Sequence, residues 1–190
     1  MRSTLERANY HTPTPIQEQT LEPLMNGRDL VGVAQTGTGK TAAFVIPIVE
    51  RIQPENRKVQ ALILCPTREL ALQTTSVIKK LSAHLPIRTV SVYGGQSPNV
   101  QLQALRQGAQ IVVGTPGRVK DFIGQNALKL SNVRFVVLDE ADEMLDFGFL
   151  PDIKSILSYV TGEHQTMLFS ATMSKEISVI AEKYLVNPLR

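Results

Sequence analysis

The chain has 190 residues, of which 43% are hydrophobic and 5% aromatic, a composition typical of one folded globular domain. No apolar run approaches the roughly 18 residues of a membrane span, and the start of the chain lacks the apolar core of a signal peptide, so the sequence predicts no membrane segment. Cys65 is the only cysteine, so no internal disulfide can form. The net charge of +3 permits a polyanionic partner but does not require one.

Apolar strands and amphipathic helices alternate along the chain. Thr14 and Pro15 have the form of a helix cap followed by a first-turn proline, and this first helix should end near Met25. Six strands are expected, most of them continuous apolar runs, at 29–34, 61–65, 89–93, 110–114, 133–138 and 166–169. Further helices are expected after residue 39, at 70–81, from 98 to about 108, after 115, at 142–159 with a break near Gly148 and Pro151, and at 175–186.

This alternation predicts an α/β fold in which a largely parallel sheet is covered by helices on both faces. Ligands of such sheets bind beyond the carboxyl ends of the strands. Polar or glycine-rich clusters follow the predicted strands at 34–41, 66–70, 94–95, 115–118, 139–142 and 170–172. We therefore expect one functional rim along this edge of the sheet.

The segment 34–41 reads Ala-Gln-Thr-Gly-Thr-Gly-Lys-Thr and lies between a strand and a helix, which is the context of a phosphate-binding P-loop. Its glycines let backbone N–H groups point inward around phosphate oxygens, and the positive end of the following helix faces the same anion. Lys40 is expected in an exposed part of this loop, where it would reach the β- and γ-phosphates, and the Thr41 hydroxyl would hold Mg²⁺. The residues predicted to bind the nucleotide here are Thr36, Gly37, Thr38, Gly39, Lys40 and Thr41.

Two carboxylates directly follow the fifth predicted strand. Asp139 stands where a P-loop ATPase places its second Mg²⁺ ligand, and Glu140 would polarise the attacking water. The alternative interpretation is an acidic helix N-terminus, because carboxylates favour the positive end of a helix dipole. We predict that Lys40, Asp139 and Glu140 are catalytic.

In combination these motifs resemble those of the DEAD-box RNA helicases. Asp-Glu-Ala-Asp at 139–142 and the loop at 34–41, which opens with the alanine usual in that family, carry the resemblance. Further motifs match in order at 14–17, 66–70, 94–95, 115–118 and 170–172. The resemblance covers nearly the whole chain and implies the first RecA-like domain of an ATP-dependent RNA helicase, at 1–190, without the second domain and its arginine finger.

The resemblance also implies how the adenine base is held. Gln17 matches the residue that contacts adenine, and an amide can accept from adenine N6–H and donate to N7, whereas guanine offers two acceptors there. Tyr10 matches the position that stacks on the base. The alternatives are a solvated helix residue for Gln17 and a residue at the edge of the core for Tyr10.

The resemblance further implies an RNA-binding surface and a coupling element. RNA would be held by its phosphates at two helix N-termini and a Gly-Gly pair, without sequence preference. The predicted RNA contacts are Pro66, Thr67, Arg68, Gly94, Gly95, Thr115, Pro116, Gly117 and Arg118. Ser170 and Thr172, bonded to Asp142, would couple the nucleotide state to strand separation.

Two other functions remain open at this stage: an unrelated P-loop kinase or ATPase, and an ATP-gated RNA clamp that acts as a scaffold. The cofactors expected are ATP or ADP with Mg²⁺, and the partners are RNA and a second RecA-like domain. We expect a cytoplasmic monomer that does not bind membranes.

Overall fold

A computed structural model describes residues 12–35 and 37–190, so Tyr10 and Thr36 lie outside the described residues. The strands are β1 (Leu30–Val33), β2 (Ala61–Leu64), β3 (Thr89–Val92), β4 (Ile111–Gly114), β5 (Phe135–Leu138) and β6 (Gln165–Ser170). The helices are α1 (Pro15–Met25), α2 (Lys40–Arg51), α3 (Arg68–Leu81), α4 (Pro98–Arg106), α5 (Pro116–Gly124), α6 (Ala141–Asp146), α7 (Leu150–Leu157) and α8 (Lys175–Tyr184). Within the described ranges, no helix is both long and apolar enough to cross a bilayer.

The six strands form one sheet in the order β1-β6-β5-β2-β4-β3, and every neighbouring pair is parallel. Alternate residues of each strand point to opposite faces, so Leu62 and Leu64 of β2 enter one apolar cluster and Ala61 and Ile63 the other. Helices α1, α2 and α3 cover one face, and α4 to α8 cover the other. The predicted parallel α/β fold is confirmed.

Most predicted element bounds agree with the structure to within two or three residues. The break expected within 142–159 is present, because Gly148 adopts a left-handed φ of +77° between α6 and α7. The last helix ends at Tyr184 rather than 186, since the Val186 N–H donates to the buried carboxylate of Asp29 at 2.7 Å. Thr67 caps α3 by accepting from the Leu70 N–H at 3.2 Å.

The C-terminal end of α1 is fixed to the sheet by a polar network. Arg51 of α2 donates one guanidinium nitrogen to Leu24 O at 3.2 Å and to Gln165 Oε1 at 2.8 Å. Gln165, at the start of β6, donates its amide nitrogen to Leu24 O at 3.1 Å. Because these groups are largely buried and paired, α1 is held in one position against α2 and β6. The helix that carries Gln17 is thereby placed beside the glycine-rich loop at 34–41.

Candidate functional site

The parallel sheet places all six polar clusters at its carboxyl edge, as expected, and the strand order divides them into two halves. The half above β1, β6 and β5 carries the segments 34–41, 139–142 and 170–172. The half above β2, β4 and β3 carries 66–70, 94–95 and 115–118, the segments predicted to contact RNA. The rim therefore has a half suited to phosphates and metal, and a neighbouring half formed by helix N-termini and glycines.

A cavity of about 350 Å³ opens in the first half, between the glycine-rich loop, α3 and the end of β5. Helix α2 begins at Lys40, so its unpaired N–H groups face this space. The volume of this cavity lies in the range found for small-molecule binding sites. The lining residues that the sequence predicted are Gly37, Gly39, Lys40, Thr41, Asp139 and Glu140.

Lys40 is buried, with 4% of its surface exposed, and not an exposed loop residue as the sequence suggested. Its ammonium donates to Glu140 Oε1 at 3.0 Å and to the carbonyl of Ala34 at 2.9 Å. The expectation was wrong because the loop folds back over Lys40, and the end of β5 supplies a counter-charge that the chain order does not reveal. A buried ammonium is tolerated only with such partners.

The two carboxylates after β5 share a constrained turn. Glu140 has φ 51° and ψ 54°, a left-handed conformation that is uncommon for a residue other than glycine. Its backbone N–H donates to Asp139 Oδ1 at 3.1 Å, and both side chains line the cavity although each residue is only 5% exposed. Backbone strain of this kind is worth about 1–3 kcal/mol and often occurs at functional sites.

Burial raises the pKa of Asp139 to about 7, and the neighbouring charge of Glu140 adds to the rise. The ammonium of Lys40 and the N–H of Glu140 act in the opposite direction but do not compensate. An anionic Asp139 is therefore unfavourable in this cavity unless a cation joins it. The Thr41 hydroxyl and the Asp139 carboxylate are hard oxygen donors, which is the small protein ligand set that Mg²⁺ uses together with water and phosphates. The residues present thus fit Mg²⁺.

We expect Asp139→Asn to stabilise the ligand-free chain above pH 7. Because the folded pKa is raised, the folded state holds a proton that the unfolded state releases between about pH 4 and pH 7, so stability falls as pH rises through this window. Because asparagine does not titrate, the stability of the variant should not fall in this window. At pH 8 its free energy of unfolding should exceed that of the parent by at most about 4 kcal/mol. Urea unfolding of both proteins from pH 4 to pH 8 measures it. If the free energies of unfolding of the two proteins changed with pH in the same way, the raised pKa of Asp139 would be contradicted.

Gln17 connects α1 to the glycine-rich loop. It is 3% exposed, its Oε1 accepts from the Thr14 N–H at 3.1 Å, and its Nε2 donates to the Gly39 carbonyl at 3.1 Å. Gly39 has φ +94°, and a Cβ there would lie 2.6 Å from Gln17 Nε2, so this approach requires glycine. These bonds use one of the two amide hydrogens and one of the two acceptor positions. Adenine contact by Gln17 stays a prediction.

Gln17→Ala should reduce the preference of the chain for ADP over GDP, because a bidentate amide contact is worth about 1–3 kcal/mol of discrimination. It should also weaken binding of both nucleotides, since the loop loses its bond to α1 at the Gly39 carbonyl. Calorimetric titration of ADP and GDP into both proteins separates these effects. Equal affinity of the parent for the two bases would refute the adenine assignment.

Asp142 contacts the segment after β6, as the sequence predicted. Its Oδ2 accepts from the backbone N–H of Ala171 at 3.1 Å and from the N–H and hydroxyl of Thr172 at 3.0 and 3.1 Å. Desolvation would raise the pKa of Asp142, but the hydrogen bonds that its carboxylate accepts at this segment, those from Thr172 among them, outweigh it, so the pKa is lowered. The predicted bond from the Ser170 hydroxyl to Asp142 is not formed, because this buried hydroxyl has no partner with hydrogen-bond geometry. The role of this contact in coupling stays a prediction.

The second half of the rim is pre-organised by its own side chains. The guanidinium of Arg68 lies 5.1 Å from the centre of the Tyr93 ring, and Arg118 donates to the Gln96 carbonyl at 3.2 Å. Gly94 and Gly95 are exposed, and Gly95 has φ +75°. The free N–H groups at the start of α3 and α5 and these two arginines can meet phosphates without reading bases.

One wall of the cavity was missed as functional. Helix α3 lines it with Leu70, Gln73, Thr74 and Val77. The amphipathic pattern that predicted this helix does not distinguish a residue that lines a cavity from one that packs in the core. Behind this wall Cys65 is buried, and burial and the nearby charge of Asp139 raise the pKa of its thiol. Cys65 therefore packs as a small apolar residue.

Comparison with known proteins agrees with this geometry. The family model described as DEAD/DEAH box helicase matches residues 14–180. The DEAD-box ATP-dependent RNA helicase CshA of Bacillus licheniformis is 48% identical over 188 residues, which are 99% of this chain and 39% of that protein. This chain therefore spans about two fifths of the length of that curated relative.

Two solved structures have the same fold. The crystal structure of a DEAD box protein from the hyperthermophile Methanococcus jannaschii gives a TM-score of 0.94 at 40% identity, over 98% of this chain and 51% of that chain. A hypothetical ATP-dependent RNA helicase from Sulfolobus tokodaii gives 0.93 at 34% identity, over 99% of this chain and 55% of that chain. The chain therefore belongs to the DEAD/DEAH box helicase family and has the RecA-like α/β fold of its helicase domain.

Proposed function

We propose that the chain is the nucleotide-binding half of an ATP-dependent RNA helicase and that 1–190 forms one RecA-like ATP-binding domain. The observation that carries the proposal is the meeting of Lys40, Asp139 and Glu140 in one cavity at the N-terminus of α2. A cation, a metal-binding carboxylate and a base beside unpaired backbone N–H groups are the components that phosphoryl transfer to water needs. The relatives from Bacillus licheniformis and Sulfolobus tokodaii are described as ATP-dependent RNA helicases.

Each residue has a defined part in this proposal. The backbone N–H groups of the glycine-rich loop and of the start of α2 would hold the phosphates. Thr41 and Asp139 would hold Mg²⁺, which would supply charge neutralisation during phosphoryl transfer. The ammonium of Lys40 is bonded to Glu140 in the structure. A phosphate oxygen competes for that ammonium, and Glu140 then accepts a proton from the attacking water at a carboxylate oxygen.

RNA binding and a second domain complete the proposal. The half of the rim above β2, β4 and β3 offers helix N-termini, glycines and Arg68 and Arg118 to the RNA backbone, so no sequence preference is expected. The chain covers 39% of the Bacillus licheniformis helicase, which leaves room there for a second RecA-like domain. We further propose that the protein works as a cytoplasmic monomer.

Lys40→Ala tests the nucleotide site. The variant should bind Mg·ATP about 10- to 100-fold more weakly, because it loses a charge-assisted contact to phosphate. It should also be less stable without nucleotide, since Glu140 then loses the cation bonded to it in a buried place. Fluorescent-nucleotide titration and thermal unfolding measure the two effects, with Lys79→Ala on the exposed face of α3 as the matched control. Unchanged nucleotide affinity in Lys40→Ala would reject the proposal.

A further inference from the structure

A second cavity of about 350 Å³ lies at the opposite edge of the sheet. Its walls come from segments that precede β2, β4 and β5, and these strands are parallel, so their amino ends share one edge. We call this space the lower cavity. Because it lies at the amino ends of the strands, it is separate from the rim that carries Lys40, Asp139 and Glu140.

Three cationic side chains surround the lower cavity: Arg57, Lys58 and Lys129. All three are exposed, and no aspartate or glutamate lines the space. Among the described residues, none of these three side chains forms an ion pair. The lower cavity therefore has a positive potential that no neighbouring carboxylate in its lining cancels.

Arg57 lies against the turn at Gly108. Gly108 has φ +87°, and a Cβ there would lie 3.1 Å from the Cβ of Arg57 and 3.3 Å from its carbonyl oxygen, so this approach requires glycine. The segment that carries Arg57 and Lys58 therefore packs closely against the segment that precedes β4, and both contribute to the lower cavity.

The remainder of the wall is mainly apolar, with two amides and one hydroxyl. Val59, Leu105 and Leu128 supply aliphatic surface, and Asn126 and Asn132 supply groups that both donate and accept hydrogen bonds. Asn126 has a left-handed φ of 59° at the end of α5, where its N–H donates to Ile123 O at 2.9 Å. A planar base can pack against the aliphatic surface and form hydrogen bonds with the amides through its polar edge. A phosphate can form charge-assisted hydrogen bonds with the three cations. A volume near 350 Å³ is that of a site for one small ligand.

We propose that the lower cavity binds one phosphate-bearing nucleotide unit, either a free mononucleotide or one residue of a single-stranded RNA. The phosphate lies among Arg57, Lys58 and Lys129, and the base lies against the aliphatic wall with its edge at the asparagine amides. This site is independent of the nucleotide site on the rim, and neither one requires the other to bind.

Amide chemical-shift mapping by NMR tests the proposal on the intact chain, with Mg·ADP present to occupy the rim. Uridine 5′-monophosphate and a short oligouridylate are titrated separately. We expect saturable shifts at residues 57–59 and 126–132, and at least about tenfold weaker binding in the Lys58→Gln/Lys129→Gln double variant. Lys79→Gln/Lys175→Gln changes net charge equally at exposed sites elsewhere and should bind as the parent does.

The outcomes are distinct. Saturable binding of the monophosphate alone identifies a free nucleotide as the ligand, and tighter binding of the oligonucleotide at the same residues identifies an RNA strand. Shifts confined to the rim, no saturation with either probe, or an equal loss of affinity in the control variant would overturn the proposal. None of these outcomes depends on ATP hydrolysis, so they are separate from a failure of the proposed helicase function.

Discussion

The isolated chain should bind ATP but hydrolyse it slowly, with little stimulation by RNA and no unwinding of duplexes. Among the described residues, Lys40 is the only cation that lines the rim cavity. Arg68 and Arg118 lie on the other half of the rim, against Tyr93 and Gln96. Charge that develops on the γ-phosphate therefore lacks a second cation. An arginine supplied across a cleft is worth roughly 10³–10⁵ in rate.

Joining a second RecA-like domain that carries such an arginine should raise turnover by about this factor and should make it RNA-dependent. Steady-state ATP hydrolysis is measured with and without RNA for the isolated chain, for the joined protein, and for a joined protein whose arginine is replaced by alanine. Only the joined protein with the intact arginine should respond to RNA. Brisk RNA-stimulated turnover by the isolated chain, at a concentration that excludes self-association, would show that its site is already complete.

Glu140→Gln should slow hydrolysis by the joined protein about 10²- to 10⁴-fold, the usual contribution of a positioned general base. The amide keeps the size of the side chain and can accept from the Lys40 ammonium, but it cannot take a proton from water. Affinity for Mg·ATP should therefore change little while the chemical step slows. Single-turnover hydrolysis, compared with equilibrium nucleotide binding, separates the two quantities.

Glu143→Gln is the matched control for this variant. Glu143 is an exposed carboxylate three residues further along, in α6, and it does not line the cavity. It should hydrolyse ATP at the parent rate. If Glu140→Gln were as fast as the parent, the assignment of Glu140 as the base would fail. If both variants slowed alike, it would also fail, because a general effect of lost negative charge would then account for the result.

The sequence predicted the fold well because its signals are local. Apolar runs, continuous in most cases, marked all six strands, and proline and glycine residues marked most helix ends, including the break at Gly148. Strand order could not be predicted in this way, since the sequence does not state which strands are neighbours. The division of the rim into two halves depends on that order and became visible only in the structure.

The site was predicted in its residues but not in its environment. The motif spacing identified Lys40 and Glu140, which are 100 positions apart, yet their 3.0 Å contact and the burial of Lys40 arise from tertiary folding. The raised pKa of Asp139 has the same origin, because desolvation depends on neighbours that are distant in the chain. The α3 wall was missed for a related reason: a residue that lines a cavity and a residue that packs in a core show the same periodicity.

A crystal structure of the chain with Mg²⁺ and a non-hydrolysable ATP analogue tests the central claim most directly. We expect the phosphates to lie in the cavity between residues 37–41 and the end of β5. The Lys40 ammonium should contact phosphate oxygens instead of Glu140, and Mg²⁺ should lie near the Thr41 hydroxyl and the Asp139 carboxylate. The base should lie beside Gln17. A nucleotide bound elsewhere, or Mg²⁺ with no link to Thr41 or Asp139, would contradict the account.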